Sequence, residues 1–210
     1  MTSLVRDVMT RNVISLRRHA EFKDIVQVLR ARAFSAFPVL DDSHKVIGVV
    51  SEDDLLVREA YGAPGQRKLR RLSDRAKAAG LTAADLMSAP AITIGPTATV
   101  AEAARTMHTR HVRRLPVVTG DGRLAGIVSR TDLLGVYDRP DADIRREITD
   151  EVIEGQFLLE KLAFTVVVSA GVVTIGGPVD HESVAVSLLD AIRAVDGVVA
   201  VRDRLHYPRS

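Results

Sequence analysis

Laid over itself at an offset of 78 residues, the chain matches residues 7–56 to residues 85–134 without a gap. Asp7/Asp85, Met9/Met87, Ile14/Ile92, Pro38/Pro116, Val39/Val117, Gly48/Gly126, Ser51/Ser129, Asp54/Asp132 and Leu55/Leu133 are identical. Pairs such as Val49/Ile127 keep the aliphatic pattern between them. A unit of about 55 residues has only a marginal core of its own. Two related copies are therefore expected to pack face to face around a pseudo-two-fold axis and share one core. With 46% hydrophobic residues, the chain has the apolar content to do so.

Within each copy the periodicity predicts the same elements. Phe22, Ile25, Val26 and Leu29 in the first copy, and Val100, Ala103, Ala104 and Met107 in the second, follow the i, i+3, i+4, i+7 stripe of an amphipathic helix. Thr99 with Glu102 has the spacing of a capping box. A short apolar run beginning at Phe37 or Leu115 follows, then a turn such as Thr119-Gly120-Asp121-Gly122, then a strand at Val46–Val50 or Leu124–Val128. Each copy reads strand, helix, strand, strand, helix, which gives a mixed α+β class. The expected division is 1–60, a connector at 61–80, 81–138, and a separate tail at 141–207.

Charge and composition exclude several classes. Lys and Arg number 29 against 27 Asp and Glu, so a net charge of +2 gives no reason to expect a nucleic-acid partner. The concentrated basic stretch is Arg58 to Ala79, with seven cations against Glu59 and Asp74. Leu69, Leu72 and Ala76 suggest a helix within it. It carries no aromatic stacking residue there, and reads as a solvated connector. Cysteine is absent, which removes disulfide and thiolate chemistry and fits a reducing compartment. Arg6, Asp7 and Arg11 interrupt any signal peptide, and the most apolar stretch, Val166 to Ile175, is too short to span a bilayer. The expected location is cytoplasmic.

The residues that carry chemistry are the two Gly-x-x-Ser-x-x-Asp turns, Gly48 to Asp54 and Gly126 to Asp132. Each puts a hydroxyl at a helix start and a carboxylate one turn later. In one reading the Ser caps the helix and the Asp meets its positive end, together contributing about 1 kcal/mol. In the other, the helix start and hydroxyl meet a phosphate while the carboxylate accepts from both hydroxyls of a ribose. Recurrence in both copies favours the second. The copies are not equivalent: His111, Arg113 and Arg114 stand where the first has Ala33, Ser35 and Ala36, and Arg130 replaces Glu52. Unequal sites are expected, with a phosphate preferring the one lined by Arg113 or Arg114. A solvated arginine patch is the competing reading.

Through Asp-Val-Met and Asp-Leu-Met, Phe-Pro-Val and Leu-Pro-Val, and the two Gly-x-x-Ser-x-x-Asp turns, residues 4–136 resemble a pair of cystathionine-beta-synthase-type (CBS) domains. These are regulatory modules that bind adenosine-containing ligands. The resemblance implies Ser51, Asp54, Ser129 and Asp132 as ribose and phosphate contacts. It implies Ile14, Ser15, Ile92 and Thr93 as residues flanking the base, with the assignment of each leading strand to either Asp left open. It further implies AMP, ADP, ATP or S-adenosylmethionine as regulatory ligand, no required cofactor, and a disc-like homodimer formed through the pair.

From Asp141 the pattern changes to helix, strand, strand, helix, strand. Ile144, Ile148 and Val152 mark the first helix, and Ala185, Leu188, Leu189 and Ile192 the second. The last strand is expected at Val198–Val201. Val-Val-Val-Ser-Ala-Gly-Val-Val-Thr-Ile-Gly-Gly-Pro-Val and Val-Asp-Gly-Val-Val-Ala-Val-Arg-Asp-Arg-Leu resemble a BON domain, a module associated with phospholipid surfaces. That resemblance implies an αββαβ domain docking to a phospholipid surface or a protein partner. The sequence shows no nucleophile with a base, no paired catalytic carboxylates and no metal set beyond His108 and His111, so catalysis is not expected. Two function classes remain: a nucleotide-responsive regulator, and a ligand-free scaffold that dimerises and docks through its tail.

Overall fold

The computed structural model describes residues 3–32, 35–61 and 81–206, with side chains omitted at 32 and 57–61. The proposed connector helix at Leu69, Leu72 and Ala76, and the Ala33 comparison, lie outside those residues. Leu4–Arg130 forms one compact unit, and Thr131–Ser210 with Met1–Ser3 forms the other.

In the first unit each copy opens with a short helix that periodicity did not predict, α1 (Val5–Val8) and its counterpart α4 (Ala83–Leu86). Both are closed at their start by the repeated aspartate. Asp85 accepts from the Leu81 and Thr82 amides at 3.1 and 3.0 Å and from the Thr82 hydroxyl at 2.8 Å, while Asp7 accepts from Leu4 N–H at 3.0 Å. Those bonds, the Thr82 hydroxyl foremost, hold the Asp85 carboxyl below its ordinary pKa.

The first copy continues with β1 (Leu16–Arg17), α2 (Phe22–Arg32), β2 (Ala36–Leu40), β3 (Val46–Ser51) and α3 (Glu52–Tyr61). Its sheet has the order β1-β2-β3, β1–β2 being parallel and β2–β3 antiparallel. The second copy has α5 (Val100–Thr109), β4 (Arg114–Val118) and β5 (Leu124–Ser129), and α6 (Arg130–Leu134) follows it from the last residue of this unit. Its leading strand is reduced to one parallel bridge, Ile94 to Val117, the equivalent of Leu16 to Val39. The capping box forms as its spacing predicts: Thr99 Oγ1 accepts from Glu102 N–H at 3.1 Å, and Thr99 N–H donates to Glu102 at 2.7 Å. Ala103 and Met107 are buried under α5, whereas Ala104 is exposed, because only a narrow stripe of the helix meets the sheet.

The pseudo-two-fold is written in the backbone hydrogen bonds. Val5 N–H donates to Ala98 C=O and Ala83 N–H to Ala20 C=O, both at 2.8 Å. The bridge Thr10 to Ile127 is repeated as Val49 to Ser88, and Leu4 to Thr99 as Glu21 to Thr82. Lys45 to Arg123 is its own counterpart and marks the axis. Each leading segment therefore docks on the opposite copy. Ala83 and Leu86 of the second copy are fully buried in the core of the first, alongside Ile25, Phe37, Val39 and Val50.

This interlock explains the repeated glycines. A Cβ on Gly126 would stand 2.6 Å from Met9 Sδ, and one on Gly48 would overlap Met87 Sδ. The Met of each copy occupies the space that the Gly of the other leaves open.

The second unit has α7 (Asp141–Glu147), running on as a π-helix at Ile148–Gln156, then β6 (Thr165–Ser169), β7 (Val172–Pro178), α8 (Glu182–Arg193) and β8 (Ala200–His206). The sheet order is β6-β7-β8, with β6–β7 antiparallel and β7–β8 parallel across α8. Ile144, Ile148, Val152, Val173, Ile175, Leu188 and Ile192 form its core. The last strand starts two residues later than the sequence suggests and runs on to His206. Val198 donates its amide back to the Val195 carbonyl, and Val199 donates to the Gly171 carbonyl at 2.8 Å, ahead of the ladder that begins at Ala200. Among the described residues, no helix is long and apolar enough to cross a membrane.

Candidate functional site

Ser51 is the last residue of β3, paired across the sheet with Ala36, and Asp54 stands in the first turn of α3. Asp54 is 8% exposed, the one buried charged residue among those described. Ser51 N–H and Oγ–H both donate to Asp54 Oδ2, each at 2.8 Å. The capping relation is thus the reverse of the simple expectation: the carboxylate accepts and the serine donates. The Ser88 hydroxyl, from the other copy, stands 3.5 Å from Asp54 Oδ1. Ser88 was not singled out by its sequence, although Thr10/Ser88 keep a hydroxyl at equivalent positions directly after the Asp-x-Met segments.

The strand registers place the remaining candidates. Leu16 runs parallel with Val39, so the preceding Ile14 and Ser15 sit at the end of the sheet where Ala36 meets Ser51. Both are half-buried. By the equivalent bridge, Ile92 and Thr93, also half-buried, lie at the end of the second copy where Arg114 meets Ser129.

Arg114 is the direct cross-strand partner of Ser129 and is half-buried, whereas Arg113 is exposed. The Arg113 carbonyl accepts from Arg130 N–H at 3.1 Å, just as Ser35 accepts from Glu52 at 3.0 Å. The backbone closure is therefore the same in both copies, and the side chains alone differ. Arg130 Nη2 donates back to the Val112 carbonyl at 3.3 Å. Asp132 is half-buried in the first turn of α6.

A separate open cleft of about 610 Å³ lies on the outer side of α5, lined by Ile94, Gly95, Ala98, Glu102, Arg105 and neighbouring threonines. It begins just beyond Thr93 and contains none of the ten residues expected from the sequence.

The family model described as CBS domain matches residues 5–60 and 83–139, and that described as BON domain matches 140–209. An uncharacterized protein of Methanocaldococcus jannaschii is 26% identical over 150 residues, 62% of this chain and 89% of that protein. The CBS domain-containing protein CBSX2, chloroplastic, of Arabidopsis thaliana is 28% identical over 159 residues, 68% of this chain and 65% of that protein. A crystal structure of CBSX2 in complex with AMP superposes with a TM-score of 0.56 at 28% identity, covering 63% of this chain and 94% of that one.

Proposed function

Because the chain belongs to the CBS domain family and carries a BON domain at its C-terminal end, we propose that it is a regulatory protein whose CBS pair binds an adenosine-containing ligand and relays occupancy through the BON domain. The observation that carries this reading is Asp54: a buried carboxylate at a helix start that receives the Ser51 hydroxyl and lies within reach of the Ser88 hydroxyl. A ribose presents two hydroxyls of the same chemistry, so a ligand replaces protein donors with its own and leaves no buried charge unsatisfied. The CBSX2 complex with AMP supports adenine nucleotide as the ligand class.

The two sites differ. At the first, Ser51 holds Asp54 and no cation stands at the position across from it, which is Ala36. At the second, Arg114 faces Ser129 and offers a planar pair of donors to a phosphate. A phosphate-bearing nucleotide therefore prefers the Ser129–Asp132 turn, and a phosphate-free adenosyl compound is less disadvantaged at the Ser51–Asp54 turn. The protein acts by binding rather than by catalysis, as a dimer of CBS pairs, with the BON domain presenting the output to a protein or phospholipid surface.

Isothermal titration of the full chain with AMP, ATP and S-adenosylmethionine tests this. Saturable heat with at least one of them is expected. No heat from any would leave the ligand-free scaffold as the reading that stands.

A further inference from the structure

The three-stranded sheet of the C-terminal unit has two edges of opposite character. β8 carries Arg202, Asp203, Arg204 and His206. β6 reads Thr-Val-Val-Val-Ser, without a charge, proline or bulge. An uncharged, β-branched edge with regular pairing is the kind of edge that accepts another strand, whereas charges on an edge oppose it. Among the described residues, no strand pairs with the outer side of β6.

We infer that β6 pairs antiparallel with β6 of a second copy of this chain, around a two-fold axis at Val167, to make one six-stranded sheet.

The register follows from the hairpin. Ala170 and Gly171 have φ of 50° and 73°, the two-residue turn in which the flanking Ser169 and Val172 form a hydrogen-bonded pair. Bonded pairs alternate, so Thr165, Val167 and Ser169 direct their amides and carbonyls inward to β7, and Val166 and Val168 direct theirs outward. A two-fold at Val167 sets Val166 opposite the partner copy's Val168, and Val168 opposite its Val166. All four outward N–H and C=O groups are then satisfied in each chain.

Side chains agree with that register. Val167 is 54% exposed and meets its own equivalent, and Thr165 meets Ser169, so a small apolar and hydroxyl face is covered with no charge desolvated. The same operation on β8, centred on Asp203, would set Asp203 against itself and Arg202 against Arg204. Like charges directly opposite each other are destabilising. The sheet can thus extend through β6 and is blocked at β8.

The absence of cysteine from the chain makes the register directly testable. Antiparallel partners outside the bonded pairs have Cα atoms about 4.5 Å apart, within the range a disulfide spans. In the full-length Val167→Cys variant under oxidised glutathione, which takes up the two thiol electrons, a disulfide-linked dimer is expected at least tenfold faster than in Val186→Cys. Val186 is equally exposed, at 52%, but on α8. A mixture of Thr165→Cys and Ser169→Cys chains should cross-link, Thr165→Cys alone should not, and adding Val167→Lys to the mixture should abolish the link. Equal rates for Val167→Cys and Val186→Cys would overturn the proposal. So would cross-linking of Thr165→Cys alone as fast as the mixture, or a link that survives Val167→Lys.

Discussion

Gly48 and Gly126, the first residues of the two Gly-x-x-Ser-x-x-Asp turns, are packed against methionines. Each leaves room for the thioether of the opposite copy, so Gly126→Val is expected to overpack the contact with Met9 and cost about 1–3 kcal/mol, measured by chemical denaturation. The paired identities Met9/Met87 and Gly48/Gly126 are therefore one interaction seen twice. Asp85 is a second residue whose repetition has a structural cause. Its folded pKa is lowered, so the stability it contributes is present above the ordinary carboxylate pKa and is lost as pH falls through the lower folded value. Asp85→Asn should accordingly show a flatter loss of stability than wild type on acidification through that range. For Asp54 and Asp132 the expectation is functional: Asp132→Ala should weaken AMP binding more than Asp54→Ala, and Arg114→Ala should weaken AMP while leaving adenosine nearly unchanged. Titration calorimetry with both ligands measures this, and equal losses at the two aspartates would remove the argument for unequal sites.

α5 starts on a reciprocal Thr99–Glu102 pair, and Thr99→Ala is expected to lower stability by about 1 kcal/mol. The turn between β6 and β7 is held from outside its own hairpin. Asp141, at the start of α7, accepts from the Ala170 and Gly171 amides at 2.8 and 2.9 Å. Asp141→Ala should leave the sheet intact while amide exchange at 170 and 171 accelerates. The amphipathic helices and the central strand pairs of both repeats were legible from period and turn chemistry, whereas the leading strand expected in the second copy is a single bridge at Ile94. Ser51 and Ser129, expected after the strands, instead end them, paired with Ala36 and Arg114. The short helices α1 and α4 were not legible, because four residues are too few to show a helical period. The late start of β8 was hidden because Val198 has strand propensity but spends its amide in a turn, on the Val195 carbonyl.

At the scale of the whole chain, neither repeat is complete without the other. Leu86 belongs to the second copy in sequence and to the core of the first in space, where it is fully buried. Leu86→Ala is expected to cost about 2–5 kcal/mol and to unfold both copies in one transition, a result that calorimetry and residue-resolved exchange distinguish from separate melting. The sequence by itself determined that there are two copies, that each contains an amphipathic helix and a pair of strands, that the tail follows a pattern of its own, and which turns carry hydroxyl and carboxylate. These follow from local spacing and from comparison of the chain with itself. Only the tertiary structure decided that the leading segments cross to the opposite copy, that Met9 and Met87 account for the glycines, and that Ser88 approaches Asp54. Each of these is a contact between residues distant in the chain. No local period records such a contact, because it forms only once two surfaces have packed.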